Sequence, residues 1–280
     1  MKKNFLMFVM AVLLTALPLS SCIGGTQVQP TPSESPLIGK LTFAGSTTVQ
    51  PLITQLTDVF HQRHSQVLFD VAAGGSVVGI QAIHKGTVDI GMASRALSSE
   101  ESQGIKVYTF AKDAIAMVVH PDNPVKSITL TQLQDIYMGK ITNWQQLGGN
   151  DLAIIPVQRE LSSGTRGAFD ELALGNQQAT APKLLAVATN GDVAAEIASE
   201  PAAIGYVGLG YINPSVKAVA INGTLPSKDS VGDGTYPLSR PLSLLTGPLS
   251  QPLANDFINF VLSPEGQAYV EQFGWVSISK

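Results

Sequence analysis

Short apolar runs alternate with amphipathic stretches from residue 41 to the end of the chain. Residues 41–44 read as a strand. Residues 47–61 follow as a helix, with Val49, Leu52, Ile53, Leu56, Val59 and Phe60 at helical spacing and Pro51 in the first turn, where proline is tolerated. A strand at 67–72, a short helix at 76–84 and a third strand at 88–91 complete a β-α-β-α-β order. That order predicts a parallel sheet with binding loops at the carboxyl ends of its strands. A second alternation begins with a strongly apolar strand at 114–120, closed by Pro121-Asp122-Asn123-Pro124. Helices at 131–138, 165–174 and 193–197 then interleave with strands at 154–157, 187–189 and 204–207. Residues 226–235 are polar and read as irregular, with Asp229 to Gly234 as a turn rather than a calcium loop. A strand at 242–245 and helices at 256–262 and 265–273 close the chain. If the chain crosses to a second lobe near Ala114 and returns near Pro237, the last helices complete the first lobe. The expected units are therefore 38–113 with 237–280, and 114–236. No internal repeat is strong enough to argue duplication.

The first 37 residues break this pattern. Lys2-Lys3 precedes an apolar run at 5–17 that is short for a bilayer span, as in a secretory signal. Leu19-Ser20-Ser21-Cys22 then resembles the lipobox of bacterial lipoproteins. That implies removal of residues 1–21, lipidation of Cys22 and attachment to the cell membrane on its outer side. Cys22 is the only cysteine, so no disulfide forms within the chain. The Thr/Pro/Ser/Gln-rich stretch up to residue 37 reads as a flexible tether.

Composition adds little beyond this. With 280 residues, 44% hydrophobic and 14% charged, the chain can bury a large core. The net charge of −4 becomes −6 without Lys2 and Lys3, which argues against nucleic acid as a partner. His61 and His64 stand three apart on a helix but lack a third ligand nearby, so no metal is expected. Tyr137 and Trp144 read as core residues.

Four turns carry the candidate chemistry. They are Gly45-Ser46-Thr47-Thr48, Gly74-Gly75-Ser76, Gly91-Met92-Ala93-Ser94-Arg95, and Arg159-Glu160-Leu161-Ser162-Ser163-Gly164-Thr165. Each follows a strand-like run, and most open a helix. Alone, each is an ordinary helix cap. Together they offer helix N-termini, hydroxyls and a guanidinium, which suit a dry site for a tetrahedral oxyanion.

These segments, with 135–144, 204–207 and 236–240, resemble the substrate-binding proteins of bacterial phosphate ABC transporters. The resemblance covers nearly everything from residue 40 onward. It implies a two-lobed α/β periplasmic-binding-protein fold of type II-like form, each lobe a mostly parallel sheet flanked by helices, with two hinge crossings. It also implies a monomeric, non-enzymatic receptor without a cofactor, which delivers phosphate to permease subunits. Carried over by position, Thr47, Thr48 and Ser76 are first-lobe ligands. Arg159 is the guanidinium partner, with Ser163, Gly164 and Thr165 at the helix start. Ser94 stands where the family pattern has an Asp that accepts the phosphate proton. Ser46, Arg95 and Glu160 are possible additions, with Glu160 a candidate replacement for that charge. A receptor for sulfate, molybdate or tungstate, a sensor module and a phosphatase are the competing readings. No base is placed by sequence near Ser76 or Ser163.

Overall fold

The computed structural model describes residues 36–278, so the lipobox, Cys22 and most of the expected tether lie outside the described residues. The chain opens with strand β1 (Gly39–Gly45), helix α1 (Gln50–Arg63), β2 (Val67–Ala73), α2 (Ser76–Lys85), β3 (Ile90–Ala93) and the long strand β4 (Lys106–Val119). Next come β5 (Ser127–Ile128), α3 (Leu130–Tyr137), β6 (Ile155–Arg159), α4 (Gly164–Leu174), β7 (Leu185–Val187), α5 (Asn190–Ser199) and β8 (Ala203–Gly208). Then follow β9 (Lys217–Ala218), β10 (Ala220–Ile221), α6 (Lys228–Gly232), β11 (Ser239–Thr246), α7 (Pro252–Leu262), α8 (Pro264–Gln272) and β12 (Val276–Ser277).

The main sheet runs β2-β1-β3-β11-β4-β8-β6-β7. Its two ends are parallel, as the β-α-β alternation predicts. Its middle is antiparallel, at β3/β11, β11/β4 and β4/β8. Strand β4 is far longer than the apolar run at 114–120. Its first half, Lys106 to Ala114, pairs with β11, and its second half, Ile115 to Val119, pairs with β8. The first half escaped the hydrophobic pattern because Lys106, Val107, Thr109 and Lys112 are exposed and Tyr108 is only half-buried.

Two apolar cores flank this change of partner. One gathers Leu41, Phe43, Leu52, Ile53, Phe60 and Phe257 around β1, α1 and α7. Its aromatic rings meet edge to face, with the Phe43 and Phe257 centroids 5.3 Å apart. The other packs Met117, Leu133, Trp144, Phe169, Tyr206 and Leu238. Within it Phe169 stacks on Tyr206 at 4.1 Å, and the Tyr137 hydroxyl donates to the Val157 carbonyl at 2.9 Å. Tyr137 and Trp144 are thus core residues. The late helices α7 and α8 return to the first core, against α1.

One local expectation fails. Residues 226–235 hold helix α6, because Ser227 caps it, accepting from the Ser230 amide at 3.1 Å. Among the described residues no helix is long and apolar enough to cross a membrane. No cluster of three metal-ligating side chains occurs among them either.

Candidate functional site

The turn before α1 and the first residues of α2, α4 and α5 meet at one buried point. Gly45 starts the first turn with φ of +139°, and a Cβ there would lie 2.3 Å from the Met92 carbonyl oxygen. Only glycine lets β1 and β3 approach this closely while the chain turns. Ser46 Oγ then accepts from the Thr48 amide at 3.2 Å, so Ser46 shapes the loop. Thr47 and Thr48 follow, both buried, with their hydroxyls turned toward the other core.

Helix α4 arrives from that other side. Ser163 is its cap, accepting from the Arg166 amide at 3.2 Å. Gly164 is the first helical residue, and a Cβ on it would lie 1.9 Å from Ser76 Oγ and 2.7 Å from Ser94 Oγ. The bare backbone of α4 therefore lies directly against the two serines. Thr165 Oγ1 sits 3.1 Å from Thr48 Oγ1. Ser76 Oγ accepts the Ser94 amide at 3.0 Å, and the two serine hydroxyls are 3.4 Å apart. Gly75, which caps α2 at φ +93°, would clash with Ser162 if it carried a side chain. The Val77 amide donates to the Ser162 carbonyl at 3.2 Å.

Arg159 ends β6 and is 1% exposed. Its Nε and Nη2 donate to the Ala188 carbonyl at 3.1 and 2.5 Å, and Nη2 also donates to Thr47 Oγ1 at 3.2 Å. Its Nη1 is buried without a hydrogen-bond partner. No carboxylate pairs with it among the described residues. Desolvation, aided by the nearby Arg240 cation, pushes its pKa down from 12.5 to about 10. A buried, unpaired guanidinium beside hydroxyls and helix N-termini is built to receive an anion.

Thr47, Thr48, Ser76, Ser94, Arg159, Ser163, Gly164 and Thr165 thus come together. Arg95 and Glu160 do not join them. Arg95 makes a two-point ion pair with Glu101, both bonds 2.7 Å, while its stem covers Gly167. That pair holds the Glu101 carboxyl down at about 2. Both residues line a depression of about 590 Å³ that also includes Leu161, Ser163 and Gly167. Glu160 points to solvent, so it does not replace the expected Asp charge.

Three residues at the site were missed by sequence reasoning. Asn190 is fully buried and donates to Thr48 Oγ1 at 2.9 Å and to Thr47 Oγ1 at 3.3 Å. Asp113 and Arg240 form a buried ion pair at 2.8 Å, with Arg240 Nη2 3.3 Å from Thr48 Oγ1. A signal for Asn190 existed: Thr189-Asn190-Gly191-Asp192 opens α5 with a capping box. Arg240 announces itself only as a charge in a strand-like segment, and Asp113 only as an acid beside Lys112 at the edge of an apolar run.

A two-lobed α/β fold with a buried cationic site between two cores defines a periplasmic-binding-protein class of receptor. The family model described as a PBP superfamily domain matches residues 30–265. A phosphate-binding protein PstS of Bacillus subtilis is 30% identical, with 100% of this chain and 96% of that protein covered. Its counterpart in Borreliella burgdorferi is 31% identical over 85% of this chain and 90% of that protein. A solved structure from Clostridium perfringens, described as a putative phosphate ABC transporter substrate-binding protein with bound phosphate, superposes with a TM-score of 0.83. It is 36% identical and is covered in full by 86% of this chain. The chain belongs to the PBP superfamily and, within it, to the family of PstS substrate-binding proteins of phosphate ABC transporters.

Proposed function

We propose that the protein is an extracytoplasmic receptor that closes on inorganic phosphate and delivers it to the permease of an ABC importer. The observation that carries this reading is Arg159, buried with an unpartnered Nη1 and with no carboxylate paired to it among the described residues. An anion is the missing partner, and Thr47, Thr48, Ser76, Ser94 and Thr165 ring it with hydroxyls. Ser163 and Gly164 bring the α4 N-terminus against it, whose dipole favours negative charge. The two lobes of the proposal are 38–113 with 237–280, and 114–236. The switch of β4 from β11 to β8 at Ala114/Ile115 supports that division. Opening would separate Thr48 from Thr165 and Gly164 from Ser76, exposing the site.

The serines support a receptor over a phosphatase. Ser76 Oγ is bonded to Ser94, and Ser163 Oγ caps a helix, with no base against either among the described residues. In the same reading Cys22 carries a lipid anchor, and the protein works as a monomer.

A second oxyanion is favoured by one observation. Ser94 offers a neutral hydroxyl where the family pattern has a carboxylate, and Glu160 lies outside. A charged acceptor that would repel fully ionised sulfate is therefore lacking among these residues. Isothermal titration with phosphate, sulfate and molybdate decides between them. Phosphate binding with a decrease in radius of gyration by small-angle scattering is expected. Heat with sulfate or molybdate but none with phosphate would refute the phosphate assignment.

A further inference from the structure

Two groups that can only donate converge on Thr48 Oγ1, as Arg159 and Asn190 do on Thr47 Oγ1. Asn190 Nδ2 donates to Thr48 Oγ1 at 2.9 Å, and Arg240 Nη2 approaches the same atom at 3.3 Å. The orientation of the Asn190 amide is set independently, because its Oδ1 accepts the Gly208 amide at 3.3 Å. Arg240 is held in turn by Asp113 Oδ2, which accepts from Nε at 3.2 Å and Nη2 at 2.8 Å. Asp113 Oδ1 is occupied by the Leu209 amide at 2.9 Å. All of these side chains except the partly exposed Leu209 are buried.

A hydroxyl has two acceptor sites and one proton. Here both acceptor sites of Thr48 are filled by groups that can only donate. Its proton must therefore point away from Asn190 and Arg240. The direction left open holds Thr165 Oγ1, 3.1 Å away in the first turn of α4.

We propose that the Asp113–Arg240 pair is a positioning device that, together with Asn190, fixes Thr48 as a one-way hydrogen-bond donor toward the bound anion. This rests on the phosphate reading above and deepens it. Arg240 Nη1 is buried without a partner, as Arg159 Nη1 is, but in this scheme Arg240 acts through the Thr48 proton. An orientation fixed before binding removes the cost of reorienting the hydroxyl and selects deprotonated anion oxygens at that point. The pair also stands where β4 changes partner. Asp113 is one residue before Ala114 on β4, and Arg240 faces it across the ladder. The donor is thus assembled from the strand where the two cores meet, from the neighbouring β11 and from α5 and the β8 end beyond.

A double-mutant cycle read by phosphate titration tests this. Thr48→Val removes the hydroxyl and keeps the shape. Arg240→Met with Asp113→Asn removes both charges together and keeps an oxygen for the Leu209 amide, which avoids leaving one buried charge unpaired. Each change alone should weaken phosphate binding by about ten- to a hundredfold, the range of one charge-assisted hydrogen bond. If Arg240 acts through Thr48, the combined variant binds no more than about twofold more weakly than Thr48→Val alone. Arg240→Lys serves as a second variant should the pair replacement fail to fold. It keeps the cation beside Asp113 but loses the fork, so it should weaken native binding and leave Thr48→Val unchanged. Costs that multiply across the cycle, or a pair variant that binds like the native protein, overturn the inference while leaving the receptor assignment intact. A native protein that gives no heat with phosphate overturns both.

Discussion

Arg159→Met should make the ligand-free protein harder to unfold while abolishing anion binding. The guanidinium is 1% exposed, and burial drops its pKa from 12.5 to about 10. At 1.36 kcal/mol per unit, holding that charge costs the folded state about 3 kcal/mol. Methionine fills similar volume without charge. Against this gain stand the bonds to the Ala188 carbonyl and to Thr47, worth about 1–2 kcal/mol together. The net expectation is a gain of about 1–2 kcal/mol, or a rise of roughly 2–8 °C in Tm at this chain length. The sign with pH follows from the direction of the shift. A cation whose folded pKa is depressed penalises the native state fully below pH 10, and the penalty vanishes as pH climbs toward 12.5. The advantage of the variant should shrink across that window. Urea unfolding with and without phosphate is the assay. Native protein at a hundredfold excess over Kd should gain about 2.7 kcal/mol, and the variant nothing. A ligand-free variant less stable than the native protein by 1 kcal/mol or more would refute the reasoning, because Arg159 would then hold the fold rather than await an anion.

Two further outcomes are expected. Gly164→Ala places a methyl 1.9 Å from Ser76 Oγ, so the α4 turn cannot reach its position; phosphate binding should fall by about a hundredfold or more and Tm by roughly 2–12 °C, measured by titration and calorimetry. Cys22→Ser should move the protein from the membrane fraction to the soluble one on fractionation, and a variant that still sediments with membranes would remove the anchor.

Much of the site was legible because each of its loops carries a local signal. Gly45, Gly75 and Gly164 mark places where backbone must approach backbone or a hydroxyl, Ser46 stands in the turn before α1, and Ser163 and Thr165 stand at the start of α4. Arg159 stood out as a lone cation ending an apolar strand. Local signals also misled. Glu160 adjoins Arg159 in sequence, yet at the end of β6 successive side chains point to opposite sides, so one is buried and the other solvated. Arg95 adjoins Ser94, yet its nearer partner is Glu101, six residues on. Asp113 and Arg240 were not legible as a pair, since they are 127 residues apart and meet only through the β4/β11 register. The same register explains the long β4. Half of it lies beneath β11, and no pattern in residues 106–113 says which distant strand will cover it.

Strand β4 has a mechanical consequence. One uninterrupted run of fourteen residues is laddered to β11 along its first part and to β8 along its second. Any opening of the molecule must therefore twist a hydrogen-bonded ribbon instead of swinging on slack chain. A ribbon under torsion resists in proportion to the turn and springs back, which limits the amplitude of each excursion. Apart from the register break at Phe110, its residues stay laddered, so proton–deuteron exchange along 106–119 should remain slow in both the empty and the loaded protein, while exchange in the loops around Thr47 and Ser163 changes with the ligand.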